Sequence, residues 1–309
     1  MNIVFFCLLR IRLISLVCFS TCLFSTIVFA QRKPAEPVNL IYNSHIEGVD
    51  AKIQEAFVRS NTEDGGLYIP VVMARPEGEG PFPAFIMVHG SPGGRGISDL
   101  KNGLKNNTFV SDRFLKEGYI VVRTSYRFRD GGKNEPAGRD VASVIRFIKS
   151  LPEVDADKVC LYGTSRGAEN SVLAISEESV AGAIINDSGA RTYMPFYEFG
   201  EPWDEDEYKR RIIPETIYDK AVTISYFEKI DSPTLFTAST DRNGIYRLLS
   251  NTAVELLTEL GKESSVKIYP GERHGFNFGS RDENREPGPS AGALLALEDA
   301  VAFLKAKTR

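Results

Sequence analysis

The sequence predicts an α/β fold: an open, mostly parallel central sheet with helices on both faces, entered through an antiparallel hairpin at the start. Three observations carry this. Short apolar, largely β-branched runs recur along the chain, and segments with apolar residues at helical spacing separate them. Neither an internal repeat nor a Pro/Gly/Ser-rich linker interrupts residues 31–309, so one domain is the economical reading.

The hairpin is read in Ala56 to Ala74, where Asp64-Gly65-Gly66 divides two semi-alternating segments. Six runs then read as buried strands: Ala84 to His89, Tyr119 to Thr124, Lys158 to Tyr162, Ala181 to Ile185, Pro233 to Ala238 and Val266 to Tyr269. Between and after them lie one-faced helical patterns. They are marked by Val141, Val144, Ile145 and Ile148, by Leu248, Leu249, Thr252, Leu256 and Leu260, and by Leu294, Leu297, Val301 and Leu304. In such a sheet, ligands bind beyond the carboxyl ends of the strands. The segment from Arg191 to Lys229 departs from this pattern, being rich in aromatic residues, charge and proline, and is expected to be a lid insertion (residues 191–229).

Residues 1–30 hold Arg10 and Arg12 and no acid, followed by an apolar run from Leu13 that ends in Val28-Phe29-Ala30. This reads as a signal peptide cut before Gln31, with an uncleaved membrane anchor as the alternative, and it implies a secreted or periplasmic protein. Cutting removes two positive charges, so 35 basic and 41 acidic residues would leave a formal charge of -6, against -4 for the whole chain. An acidic chain without a basic stripe excludes a nucleic-acid partner. Three of the four cysteines, Cys7, Cys18 and Cys22, lie in the leader, so Cys160 alone would remain and no intrachain disulfide could form.

Chemistry is concentrated in Gly163-Thr164-Ser165-Arg166-Gly167, directly after one expected strand and directly before a helical segment. A serine on a sharp strand-to-helix turn projects its hydroxyl clear of the sheet, and glycines two residues to either side remove side chains that would collide. This placement is what a nucleophile elbow requires, and it makes Ser165 the expected nucleophile. A serine hydroxyl needs a base. Of the three histidines, His45 precedes the core strands and His89 closes an early one, whereas His274 follows the last strand, on the correct side of Ser165 in chain order. The carboxylate that orients the imidazole should end a strand between Ser165 and His274, which leaves Asp241 and Asp187. The oxyanion donors are expected to be the backbone N–H groups of Arg166 and of Ser91, in the loop His89-Gly90-Ser91-Pro92-Gly93-Gly94, since Pro92 has none. His89 itself is read as a structural brace for that loop. No residue cluster has metal-ligand spacing, and neither metal nor cofactor is expected.

Four segments, in order, resemble the prolyl oligopeptidase-type and dienelactone hydrolase-type α/β-hydrolases. They are His89-Gly90-Ser91-Pro92, the run Val154 to Val159 leading into the elbow, Ser239-Thr240-Asp241, and Gly271-Glu272-Arg273-His274-Gly275-Phe276. The resemblance implies oxyanion loop, nucleophile, acid and base at these positions, and it supplies the preference for Asp241 over Asp187. Two departures shape the expected activity: about 25 residues between Gln31 and the hairpin leave no room for a propeller, and Ala168 stands where peptidase members commonly have glycine. An exported carboxylic-ester hydrolase acting on a small-molecule ester is therefore expected first. A peptidase acting on short peptides is the near alternative, and an inactive hydrolase fold used as a binding module is the alternative from another class. Arginines near the strand ends (Arg95, Arg127, Arg129, Arg166, Arg191, Arg242 and Arg273) further suggest an anionic substrate, although nearby acids could pair with several of them.

Overall fold

The computed structural model describes residues 39–60, 67–128, 135–197, 211–241, 244–278 and 288–309. The expected leader lies outside them, as do the hairpin turn, Trp203, Arg129 and Arg242. Among the described residues, nine strands form one sheet: β1 (Leu40–Ser44), β2 (Lys52–Ser60), β3 (Leu67–Arg75), β4 (Phe82–Val88), β5 (Ile120–Thr124), β6 (Val154–Thr164), β7 (Gly182–Asn186), β8 (Thr234–Ser239) and β9 (Ser264–Tyr269), in the spatial order β1-β2-β3-β5-β4-β6-β7-β8-β9. The pairings among β1, β2, β3 and β5 are antiparallel, and those from β5 through β9 are parallel.

Among the described residues the strands are accompanied by α1 (Ile97–Asn106), α2 (Thr108–Lys116), α3 (Glu135–Lys149), α4 (Arg166–Ile175), α5 (Lys220–Phe227), α6 (Ile245–Glu259) and α7 (Ala291–Thr308). Alternate strand residues face opposite ways and build two cores. Val71, Ile86, Val122 and Leu161 pack with α3, α4 and α6 on one side, while Val72, Phe85, Val121 and Ile184 pack with α1, α2 and α7 on the other. Residues 84–88 of β4, 120–122 of β5, 159–162 of β6 and 183–185 of β7 are buried on both faces and read as continuous apolar runs.

Strand order reverses at β4, whose neighbours are β5 on one side and β6 on the other. The chain therefore leaves β4 and β6 in opposite directions, which opens a crevice at their carboxyl ends. The loop from His89 begins there, and Ser165 follows β6 at the same edge.

The described flanks of the expected lid are part of the scaffold. Tyr193, Met194, Ile213, Tyr218 and Phe227 are buried in the α3/α4/α6 core, Phe196 bridges to Tyr218, and Asp219 caps α5 through the Val222 N–H at 3.0 Å. The buried Glu169 on α4 holds the start of this segment by accepting the Thr192 N–H at 2.7 Å.

Candidate active site

Ser165 has φ 55° and ψ -120°, a conformation that L residues adopt only where surrounding contacts enforce it. Its N–H donates to the Asn186 carbonyl at 2.9 Å, and its own carbonyl accepts from Ala168, Glu169 and Gly189, so the turn is clamped from both sides. The flanking glycines are sterically required. A Cβ on Gly167 would collide with the His89 and Val88 carbonyls, and one on Gly163 with the Ser171 hydroxyl and the Gly167 carbonyl. Both flanking glycines thus lie against the loop after β4 or the first turn of α4.

The loop after β9 brings His274 to this turn, with Nε2 2.9 Å from Ser165 Oγ. Its ring is fixed by Tyr246, which stacks on it at 4.3 Å and 11° from the first turn of α6. The loop is tied down on the far side by Glu272, which accepts from the Ser290 hydroxyl at 2.9 Å and the Gly292 N–H at 3.1 Å. A carboxylate at the amino end of α7 is favourably placed for the helix dipole.

The two candidate carboxylates divide the work differently from the expectation. Asp187, at φ 43° after β7 and fully buried, has Oδ2 3.4 Å from His274 Nδ1, long for a hydrogen bond. That carboxylate is fixed by the Ser239 N–H at 2.7 Å on Oδ1 and the Gly275 N–H at 2.8 Å on Oδ2. Asp241 instead accepts the backbone N–H of His274 at 3.1 Å, while the preceding Thr240 hydroxyl accepts from Gly271 N–H at 2.9 Å. Sequence favoured Asp241 as the residue at the imidazole, but the structure puts Asp187 at the ring and Asp241 on the loop backbone. The reason is topological: β7 and β8 are neighbours, the His274 loop passes over the ends of both, and the strained turn at Asp187 aims its side chain under the ring.

The loop after β4 is held from beneath by Tyr126, whose hydroxyl donates to the carbonyls of His89 at 3.0 Å and Gly90 at 3.1 Å. The Gly90 carbonyl also meets His89 Nδ1 at 2.6 Å. Across a trans peptide the N–H of Ser91 points opposite to the Gly90 carbonyl, hence away from Tyr126. The N–H of Arg166 belongs to the first turn of α4. His89 stacks on Tyr126 at 4.7 Å and is held neutral, its pKa pushed down to about 3 by burial and then by the charges of Arg95, Arg123 and Arg166. It fits the structural role expected of it. The Arg166 guanidinium lies over the same Tyr126 ring at 5.6 Å.

Of the arginines expected near the mouth, Arg127 is committed elsewhere: its N–H and Nε donate to Oδ2 of the buried Asp140, each at 2.9 Å, and Nη2 donates to Oδ1 at 2.8 Å. Sequence reasoning missed Tyr126, Tyr246 and Arg123. Tyr126 sits two residues past β5, where the next contribution to the crevice must come from, and that position was the available signal. Tyr246 had none. Among the described residues, no group of three His, Cys or acidic side chains could hold a metal ion, and no helix is long and apolar enough to cross a membrane. Cys160 is buried in β6, and burial pushes its thiol up to about 12, so it behaves as a core residue.

A sheet that reverses at β4, a strained serine at the next parallel strand and a histidine on its hydroxyl define the class: a serine hydrolase of the α/β-hydrolase fold. Within that class the chain belongs to the prolyl oligopeptidase family, whose model matches residues 116–286, more than half of the chain. It is 25% identical over 227 residues to the uncharacterized peptidase YtmA of Bacillus subtilis (strain 168), covering 68% of this chain and 83% of that protein. It is also 25% identical over 120 residues to the quorum-quenching protein AidA of Acinetobacter baumannii (strain MDR-ZJ06), where the match spans 36% of this chain and only 37% of AidA. Two solved structures share the fold. A hyperthermophilic esterase from Pyrobaculum calidifontis aligns at a TM-score of 0.59 and 16% identity over 85% of each chain. The acylaminoacyl peptidase of Pyrococcus horikoshii aligns at 0.56 and 17% over 84% of this chain and 42% of that one.

Proposed function

We propose that the protein is an exported carboxylic-ester hydrolase that works through an acyl-enzyme on Ser165. The single observation that carries this is the 2.9 Å approach of His274 Nε2 to Ser165 Oγ on a strained elbow. In this reading His274 takes the hydroxyl proton as Ser165 attacks the ester carbonyl, and the N–H groups of Arg166 and Ser91 receive the oxyanion. Collapse of the tetrahedral adduct breaks the ester C–O bond, and His274 returns the proton to the departing alcohol. Water then repeats the sequence on the acyl-enzyme, releasing the acid and restoring Ser165. Asp187 holds the proton on Nδ1 so that Nε2 is free to accept, and Asp241 fixes the loop that carries the ring.

The preference for esters over amides rests on Ala168, which stands where peptidase members of the family commonly have glycine. A panel of p-nitrophenyl esters and aminoacyl p-nitroanilides tests it, with Ser165→Ala as control. Ester kcat/KM should exceed that for amides by more than 100-fold. Anilides cleaved as well as esters would favour the peptidase reading, and folded protein inert to both would favour a binding module. Export rests on residues 1–30, and the mass of the protein recovered outside the cytoplasm should correspond to a chain beginning at Gln31.

A further inference from the structure

The first turn of α6 lays an aromatic ring flat against the imidazole of His274. Gly244 precedes α6 at φ 78°, a left-handed conformation that glycine adopts without strain, and its N–H donates to the Asp241 carbonyl at 3.0 Å. That turn closes on the same aspartate whose carboxylate accepts the His274 N–H at 3.1 Å, so α6 starts beside the His274 loop. Tyr246, the second residue of α6, is buried there. Its ring centroid lies 4.3 Å from that of the imidazole, with the two planes 11° from parallel.

A stack of this geometry restrains a neutral imidazole, and it does more once the ring carries charge. The face of an aromatic ring is the negative end of its quadrupole, so a cation within about 6 Å of the centroid is attracted, by roughly 2- to 30-fold in an equilibrium constant. In the attack step the bond from Ser165 Oγ to the carbonyl carbon forms, the carbonyl π pair moves onto oxygen, and the Oγ proton passes to His274 Nε2. The imidazolium exists only from that point. An interaction that strengthens as this charge develops lowers the barrier, whereas one equal in both states does not. Two other groups meet the ring at its nitrogens: the Ser165 hydroxyl, 2.9 Å from Nε2, and Asp187 Oδ2, 3.4 Å from Nδ1. The second distance is long for a hydrogen bond, so the hold of Asp187 on the ring charge is mainly coulombic, and the π face of Tyr246 adds to it.

We infer that Tyr246 is a positioning residue with an electrostatic role: its ring keeps the imidazole in line with Ser165 and stabilises the imidazolium formed as Ser165 attacks. This role rests on Ser165 and His274 being nucleophile and base, and it assigns a function to a residue outside the set of serine, histidine and carboxylates.

A fluorination series tests it. Tyr246→Phe is the reference, and phenylalanines carrying one, two and three ring fluorines are installed at the same position. Fluorine drains negative charge from the ring face while nearly preserving its shape. The rate of fluorophosphonate labelling, and kcat for a p-nitrophenyl ester, should fall stepwise with fluorine count to about tenfold below the reference at three, with KM and melting temperature little changed. Tyr246→Leu keeps an apolar side chain but has no π face, and should lose about as much kcat. Labelling rates indifferent to fluorine count overturn the inference and leave Ser165 and His274 in place, because a ring that merely packs gives that result. Equal kcat in Tyr246→Leu and wild type overturns it as well. If Tyr246→Leu does not fold, the fluorinated series decides alone, since its members differ little in shape. Labelling needs only the nucleophile and its base, so the series decides even where the ester is not cleaved. Folded wild-type protein that takes no label overturns the reading of Ser165 and His274, and the role of Tyr246 with it.

Discussion

Asp187→Asn separates the two carboxylates near His274. An asparagine at 187 cannot serve all the groups that Asp187 now meets: Oδ1 receives the Ser239 N–H at 2.7 Å, and Oδ2 receives the Gly275 N–H at 2.8 Å and faces His274 Nδ1 at 3.4 Å. With its oxygen toward Ser239, the new NH2 confronts the Gly275 N–H and donates to Nδ1. That forces the imidazole proton onto Nε2, opposite Ser165 Oγ, where a free lone pair is required. With the amide reversed, a donor confronts Ser239 N–H instead. Either way one buried N–H loses its acceptor, which costs roughly 1–3 kcal/mol of stability. The wrong tautomer costs about 10⁴ in rate by analogy with a serine protease, or about 5 kcal/mol of transition-state stabilisation. Asp241→Asn keeps an oxygen able to accept the His274 backbone N–H and should cost about tenfold or less. The assay is kcat/KM for a p-nitrophenyl ester on both variants, with thermal melts to establish that each is folded. A loss of 10³ or more in Asp241→Asn beside a tenfold loss in Asp187→Asn would refute the assignment and return Asp241 to the imidazole.

Two further outcomes are expected. Tyr126→Phe retains the ring beside His89 but removes the hydroxyl that donates to two carbonyls of the loop after β4, the proposed source of an oxyanion donor, so kcat should fall about tenfold with KM little changed, and unaltered kcat would dissociate that loop from catalysis. His89 has a folded pKa of about 3 against an ordinary 6.5. The unfolded chain therefore binds the extra proton between these values, and stability present above pH 6.5 is lost as the pH falls toward 3. Moving from pH 6.5 to 4.5 should cost about 2–3 kcal/mol through this group alone, and His89→Gln should reduce the acid dependence of urea stability by that amount. An unchanged slope would mean that His89 is protonated in the native state.

Much of this architecture was legible because buried parallel strands write themselves as apolar runs. The six runs from Ala84 onward correspond to β4 through β9, and β6 starts earlier only because Val154 pairs with Phe82 before the register shift to Val159. The elbow was legible from position, between strand and helix. β1 was not, because Leu40, Ile41 and Tyr42 are all exposed and its register follows only from pairing with β2. The carboxylate was legible as a pair of candidates and no further. Asp187 and Asp241 end adjacent strands, and a few ångströms in the path of the His274 loop decide which meets the ring. Arg123 was hidden for the opposite reason, since a charged residue in an apolar strand is explained only by a glycine twenty positions earlier that lets α1 approach. In the segment from Arg191 to Lys229, aromatic content alone could not separate residues that cover a site from those, such as Tyr193 and Tyr218, that fill the core.

The central claim is that Ser165 is the nucleophile and His274 its base, and covalent labelling tests it most directly. A fluorophosphonate probe should modify the purified protein once, with the adduct mapped by mass spectrometry to the peptide containing Ser165. The label should vanish in Ser165→Ala and slow by at least 100-fold in His274→Ala. Labelling that persists in Ser165→Ala, or folded wild-type protein that takes no label, would contradict the account.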